Sequence, residues 1–274
     1  INLGEPGLGK STFINSLFQT DVYKRSIRIV EPRLDNGSTI ENITYELIEN
    51  GMKMLLTITD SPGFGVKFNR SKDLEPIVRY IDDQYENYYE KENKVQNRKP
   101  IHDTRIHLCF YFINPTGHKQ QYIKLMKNYN HFFSLKELDI LTLKELSSRV
   151  NLIPLIAKAD SFTNLEKIKF KAMILEDFKK YNISVYPLDY AGSDYPKEIY
   201  ERIPFCIIGS DEFINLNGQQ IRGRQYPWGI VEVENPKHSD FIYLRKMLME
   251  YLLADLQEWT HHEHYHNYRA KKLL

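Results

Sequence analysis

Cysteine is scarce in this chain of 274 residues: only Cys109 and Cys206 are present. Both lie in apolar, strand-like runs, HLCFYFI and PFCIIGS, and their separation offers no metal or redox spacing, so a reduced, buried structural role is expected. An excess of one charge is also missing. Lys plus Arg number 37 against 36 for Asp plus Glu, and the resulting net charge of +1 argues against a dedicated nucleic-acid binder. No apolar run approaches the roughly 20 residues that a membrane-spanning helix requires, and no secretory signal opens the chain. Internal repeats and low-complexity linkers are lacking too. What remains is a composition of 42% apolar and 13% aromatic residues, which fits a globular protein and excludes a wholly disordered one. The length allows one large domain with a sizeable core, or two small ones.

Strand-like stretches alternate with helix-like ones, the pattern of an α/β fold with a mostly parallel sheet. The expected strands are Asn42–Ile48, Met52–Thr59, Ile106–Ile113, Leu152–Ala157, Ser184–Pro187 and Phe205–Ile208. Glu49-Asn50-Gly51 separates the first two, and Asn-Gly is a strong hairpin signal. Helices are expected at Ser11–Phe18, Leu74–Tyr89, Leu135–Ser148, Asn164–Tyr181 and from about Asp240 to the end. Two polar stretches, Tyr23–Ser38 and Lys91–His102, read as mobile connections. The chain opens on Ile1-Asn2-Leu3, too short for a full first strand, so preceding sequence is expected.

Gly4-Glu5-Pro6-Gly7-Leu8-Gly9-Lys10-Ser11, followed by Thr12, fits G-x-x-x-x-G-K-[ST] in full. Gly4, Gly7 and Gly9 let the backbone curl so that its N–H groups face phosphate oxygens at a helix N-terminus. Lys10 supplies a point charge for the β- and γ-phosphates, and the Ser11 hydroxyl is placed for Mg²⁺. Pro6 removes one N–H donor from the loop. Asp60-Ser61-Pro62-Gly63 follows an apolar strand, so Asp60 is placed to hold Mg²⁺ through water and the Gly63 amide to sense the γ-phosphate.

Ala157-Lys158-Ala159-Asp160 ends another strand-like run. A carboxylate accepts both N1–H and N2–H₂ of guanine, a donor pair that adenine lacks. Asp160 therefore selects guanine, with the Lys158 stem against the base plane. The three motifs in this chain order read as a guanine-nucleotide-binding P-loop domain for GTP or GDP, not an ATPase.

Arg222-Gly223-Arg224-Gln225-Tyr226-Pro227-Trp228-Gly229-Ile230-Val231-Glu232-Val233-Glu234-Asn235 resembles the unique element of the septins, a family of filament-forming cytoskeletal GTPases. Asp60–Gly65 (DSPGFG), Asp103–His107 (DTRIH), Tyr111–His118 (YFINPTGH), Asn151–Asp160 and Phe205–Ser210 extend the resemblance over almost the whole chain. It implies one septin-type domain, with a GTPase core at 1–210, the unique element at 211–238 and a terminal helix region at 239–274. Gly209 and Arg224 would border the base. Thr44, in NITY, aligns with the switch threonine that binds Mg²⁺ and the γ-phosphate, with Thr39 as the fallback. Trp228, Glu166 and a histidine, His118 or His131, would lie at an interface formed across the nucleotide. The terminal helix would serve a second interface, so that subunits alternate contacts into an open filament of like or different septins. A cytoplasmic place in the cytoskeleton, at the cell cortex or division site, follows from the resemblance. Membrane contact would run through a basic N-terminal segment and a coiled coil that are absent from this sequence.

Three departures from the family pattern stand out: Pro6, Val66 after Gly65, and the extra residues between His118 and Leu135. Phe64 occupies the position where small signalling GTPases place a water-positioning glutamine, so slow turnover is expected. Two classes stay open, a slow GTPase and a structural subunit that holds GTP permanently; a monomeric signalling switch is disfavoured by Phe64 and Trp228. His262-Glu263-His264-Tyr265-His266 fits H-E-x-x-H, yet no third ligand accompanies it, and a solvated helical face is the simpler reading.

Overall fold

The computed structural model describes residues 1–18, 28–30, 40–49, 52–61, 64–65, 71–94, 101–115, 135–187, 196–216 and 218–274. Among these, seven strands form one sheet in the order β2-β3-β4-β1-β5-β6-β7. They are β1 (Asn2–Gly4), β2 (Arg28–Val30), β3 (Glu41–Glu49), β4 (Met52–Asp60), β5 (Cys109–Ile113), β6 (Leu152–Ile156) and β7 (Phe205–Cys206). The sheet is parallel from β4 to β7, whereas β2, β3 and β4 pair antiparallel. The runs CFYFI and LIPLI are buried at every position, as strands covered on both faces must be. Cys109 and Cys206 are free and buried within β5 and β7, and burial pushes their thiols up to about 12 and about 11.

Helices α1 (Lys10–Phe18), α2 (Ser71–Asn93), α3 (Glu137–Ser147), α4 (Asn164–Tyr181) and the short α5 (Lys197–Tyr200) follow the strands. The α1 face Phe13, Ile14 and Leu17 is buried, and the Phe13 ring meets Phe110, Phe112 and Phe241 edge-on at 5.6, 5.5 and 6.0 Å. On α2, Tyr80 and Tyr85 are packing residues, with the Tyr85 hydroxyl donating to the Arg149 carbonyl at 2.5 Å. A second sheet of three strands, β8 (Phe213–Leu216), β9 (Gln219–Tyr226) and β10 (Gly229–Glu232), runs antiparallel in the order β10-β9-β8.

Several expected elements differ. Ser184–Pro187 is not a strand: Tyr186 donates one backbone bond to Leu152 at 2.9 Å and the chain then turns. β5 starts at Cys109 rather than Ile106, β7 ends at Cys206, and the stretch expected as a loop after α1 contains β2. Asn50 and Gly51 of the expected hairpin turn lie outside the described residues. Local pattern overestimated strands wherever apolar residues are buried without a ladder neighbour.

The C-terminal segment runs helically over 241–273, as α6 (Phe241–Lys246), α7 (Leu253–Trp259) and α8 (His266–Leu273) joined by π-helical stretches Met247–Leu252 and Thr260–Tyr265. Its start is pinned by Asp240, whose carboxylate accepts from Cys206 N–H (2.8 Å), Lys171 (2.7 Å) and Arg202 (2.8 Å). Further along, Asn151 donates to the carbonyls of His107 (2.8 Å) and Leu256 (3.2 Å). Those bonds fix the amide so that its oxygen faces His264 Nε2 at 3.1 Å, which must then carry the ring proton. Within the H-E-x-x-H stretch the intervening His264 is turned into the core, while His262 and His266 stay exposed with ring centres 5.7 Å apart, and among the described residues no group of three or more His, Cys, Asp or Glu is placed to hold a metal.

Burial lowers His264 from 6.5 to about 4, opposed by the Ser148 backbone and Glu263. The unfolded chain then binds a proton that the folded one excludes between those values, so stability is present above pH 6.5 and declines as pH falls towards 4. Comparing urea denaturation at pH 7 and pH 5 should show the native protein losing about 2 kcal/mol more than His264→Gln. Equal losses would mean that His264 titrates normally.

Candidate nucleotide site

β1 lies between β4 and β5, with Asn2 opposite both Asp60 and Phe110. The loop leaving β1 therefore emerges beside the end of β4. At Gly4, with φ +141°, a Cβ would stand 2.7 Å from the Phe112 carbonyl oxygen, so only glycine lets the loop depart here. Gly7 (φ +74°) and Gly9 (φ +83°) have nothing within 4 Å of a notional Cβ, leaving the inside of the loop open. α1 begins at once, with Phe13 N–H donating to Gly9 at 2.9 Å. The Lys10 ammonium folds back over the loop, donating to the carbonyls of Gly4 (2.8 Å) and Glu5 (3.1 Å). Ser11 is exposed and Thr12 half-buried in the first turn.

Burial lowers the Lys10 pKa, with Asp60 acting against it; burial raises that of Asp60, with Lys10 acting against it. Each thus offsets part of the other's burial cost. Asp60 also accepts from Ser61 N–H at 3.0 Å, and across the ladder it faces Glu41. Gly63, with Pro62, lies outside the described residues, as do Thr39, Val66, His118 and His131. Phe64 is buried and meets Tyr111 edge-on at 6.4 Å, so the position after Gly63 serves the core.

The base end is built two strands away. After β6, Lys158 takes a left-handed conformation (φ 49°, ψ 49°) and starts the 3₁₀ turn Ala159–Ser161 that carries Asp160. Ala159 N–H donates to Ile207 at 3.1 Å, tying this turn to the chain leaving β7. Ser16 and Ser210 exchange bonds at 3.1 Å, which fastens the same segment to α1. Gly209 sits in that junction. The Asp160 carboxylate is 7% exposed. One oxygen accepts from the Tyr226 hydroxyl and lies 3.8 Å from an Arg224 nitrogen; the other is buried with no hydrogen-bond partner among the described residues. Arg224 Nε donates to the Gly209 carbonyl at 2.9 Å. Leu8, Gly9, Phe13, Lys158, Gly209 and Arg224 line the small pocket between the phosphate loop and this turn.

An unpartnered buried carboxylate oxygen is the vacancy that a paired N–H donor fills, and the open inner side of Gly7 and Gly9 suits phosphate, so these residues fit a guanine nucleotide. Ser11 and Asp60 are oxygen donors of the hardness Mg²⁺ requires, and both lie at the phosphate end.

Thr44 is not brought there. It pairs with Thr57 in the β3–β4 ladder and its hydroxyl is 3.0 Å from that of Thr57. Glu41 is the residue opposite Asp60, so Thr44 is three residues along, roughly 10 Å away, and on the other face of the sheet. Glu166 is exposed and caps α4, accepting from the N–H and hydroxyl of Thr163 at 2.8 Å each, which lowers its pKa. Trp228 is 79% exposed at the β9–β10 turn and stacks on Tyr226 with ring centres 4.9 Å apart.

Sequence reasoning passed over Glu5 and Tyr226. Glu5 accepts from Lys136 and from Asn114 (2.7 Å), linking the phosphate loop to β5 and to the residue before α3. Tyr226 stood in the quoted RGRQYPWG stretch, but its partner lies 66 positions upstream.

A phosphate loop opening the first helix, a carboxylate ending the adjacent strand and a turn carrying a buried aspartate two strands over are the parts of a GTP-binding P-loop domain. The septin family profile matches residues 1–274. Septin-2 of Bos taurus is 42% identical over 279 residues, covering 99% of this chain and 73% of that protein. Septin-1 of Drosophila melanogaster is 42% identical over 281 residues, with the same coverage. Septin-2B of Xenopus tropicalis is 41% identical, with 99% and 74% covered. The crystal structure of a septin GTPase domain from Chlamydomonas reinhardtii shares the fold, with a TM-score of 0.68 over 98% of this chain and 96% of that one at 24% identity. The chain belongs to the septin family. It is a septin-like, GTP-binding subunit of the cytoskeleton.

Gly209→Ala would place a methyl 2.9 Å from the Phe13 nitrogen and 3.1 Å from the Thr12 carbonyl carbon, forcing α1 away from the base segment. It is expected to destabilise the fold by about 1–3 kcal/mol, as overpacked sites do, and to weaken nucleotide binding. Thermal denaturation with and without GDP checks both effects.

Proposed function

We propose that this chain binds GTP and GDP through the phosphate loop and Asp160, hydrolyses GTP slowly, and assembles with other septin subunits. The observation that carries the reading is the Asp160 oxygen that is buried and without a partner among the described residues, beside Lys158, Gly209 and Arg224. Guanine would satisfy it through N1–H and N2–H₂; adenine, with no matching donor pair, would leave it unpaired. Gly4, Gly7, Gly9, Lys10, Ser11 and Thr12 would hold the phosphates. Ser11 and Asp60 would hold Mg²⁺, which supplies charge neutralisation between the phosphates when bound.

Lys10 already spans the mouth of the loop, and a γ-phosphate oxygen would replace the Gly4 and Glu5 carbonyls as its acceptor. Together with the Gly63 amide it would stabilise charge on the transferring group. Slow turnover is supported by Phe64, which packs in the core and cannot orient a water. In the register found here Thr44 serves the sheet, and its proposed catalytic and metal roles would require β3 to shift. The exposed Trp228 surface, with Glu166 and His118, is the proposed contact across the nucleotide, and the terminal helix the second. Alternating use of the two gives filaments, with the cell cortex or division site as the place of work. The division into a core at 1–210, an element at 211–238 and a terminal region at 239–274 is part of the same proposal.

Nucleotide released from the freshly purified protein by denaturation, and the fate of added GTP with Mg²⁺, test the reading. Bound GDP with turnover is expected; bound GTP that survives incubation would instead mark a structural subunit. Asp160→Asn should lose the preference for GDP over ADP, by roughly a hundredfold or more if the whole donor pair is misread. Thr44→Ala is expected to leave turnover unchanged. Its loss would show that β3 changes register to bring Thr44 to the phosphates.

A further inference from the structure

Tyr226 and Arg224 approach the one carboxylate that reads the base. Both come from β9, and both act on Asp160 or its neighbour: the Tyr226 hydroxyl donates to the carboxylate, while Arg224 is held at Gly209 and lies 3.8 Å from the same oxygen. The second Asp160 oxygen is closed off from solvent and has no hydrogen-bond partner among the described residues. The small pocket beside it, about 10 Å³ and room for about one water, is lined by Lys158, Gly209 and Arg224. The side chains that engage the other Asp160 oxygen both come from β9.

We propose that Tyr226, with Arg224, is a latch on Asp160: its hydroxyl stands in for a guanine donor in the empty site, and guanine displaces it. Resting on the guanine reading above, this gives Tyr226 the role of a positioning residue that acts through Asp160. The chemistry matches, since a phenol O–H and a purine N–H are both single donors to a carboxylate, and a buried carboxylate left without either is unfavourable. The base wins because it brings two donors and satisfies the second oxygen as well.

Displacement also has an outward consequence. The Tyr226 ring is stacked on Trp228, with planes 3° apart, and Trp228 is 79% exposed. Gly229, with φ +153°, follows it at the turn and gives the hairpin tip backbone freedom. When the hydroxyl leaves Asp160, the stacked pair is released from its anchor and the surface around Trp228 is re-formed. Nucleotide occupancy is thereby transmitted to an exposed aromatic surface through two side chains.

Tyr226→Phe removes the hydroxyl and keeps the ring, so stacking on Trp228 is retained. On the nucleotide-depleted chain, the variant is expected to bind GDP roughly three- to tenfold more tightly, because no internal donor has to be displaced. IDP, which lacks the 2-amino group, should bind more weakly than GDP but gain by the same factor, because the cost of opening the latch belongs to the free protein and not to the base that displaces it. GDP should change Trp228 emission in the native protein, read as the difference from Trp228→Phe at protein concentrations where light scattering stays flat. In Tyr226→Phe that change should be absent. Equal or weaker GDP binding by the variant, or an undiminished Trp228 response, would overturn the latch. Failure of both proteins to bind GDP would overturn the guanine reading itself, and the latch with it.

Discussion

The placement of β1 is the constraint on which the site depends. This strand is only three residues long, yet it pairs with β4 on one side and β5 on the other. Because it is parallel to both, the phosphate loop, the end of β4 with Asp60 and the end of β5 all open on the same edge of the sheet. The approach is close enough that Gly4 touches the backbone of Phe112, and a side chain there would push the strands apart. Parallel pairing of β5, β6 and β7 then brings the Asp160 turn and Gly209 to that same edge. Ligand sites at the carboxyl ends of parallel strands follow from such wiring.

Two sets of polar bonds keep this edge in register with the rest. Ser16 and Ser210 tie α1 to the segment after β7, fixing the phosphate loop's helix against the chain that carries Gly209. Asp240 and Ser239 continue the chain of contacts to the terminal helix, with Ile208 N–H donating to the Ser239 hydroxyl at 3.2 Å. The Asp240 carboxylate is mostly buried but meets two cations and a backbone N–H, which offsets its desolvation. At the far end of that helix, Arg105 pairs with Asp103 at 2.7 Å and lies 3.7 Å from the centre of the Tyr88 ring, joining the DTRIH stretch to α2 and the terminal segment.

The three-stranded sheet is built differently. Its strands are mostly half-exposed, and it carries Phe213 and Trp228 at 59% and 79% exposure. Large exposed aromatics rimmed by polar residues suit a surface that is covered by another molecule. The same sheet supplies Arg224 and Tyr226 to the Asp160 carboxylate, so the surroundings of Asp160 and this exposed surface share one strand.

Motifs that depend on neighbouring residues were legible in the sequence: the phosphate loop, the aspartate ending β4 and the turn carrying Asp160 all occur where their spacing placed them, because each is a local backbone shape fixed by glycines or by a strand end. The α4 boundaries were legible for the same reason, since Thr163 and Glu166 form a local capping box. Tertiary structure alone decided the rest. Whether Thr44 reaches the phosphates depends on the register of β3 against β4, where a shift of one residue exchanges the faces of the sheet. Whether Asp160 is free or engaged depends on Tyr226, brought to it from a separate sheet. Which histidine of the H-E-x-x-H stretch turns inward depends on Asn151, more than a hundred residues earlier in the chain. Short-range backbone chemistry is written in adjacent residues, whereas pairing register and long-range side-chain contacts arise only when distant segments pack.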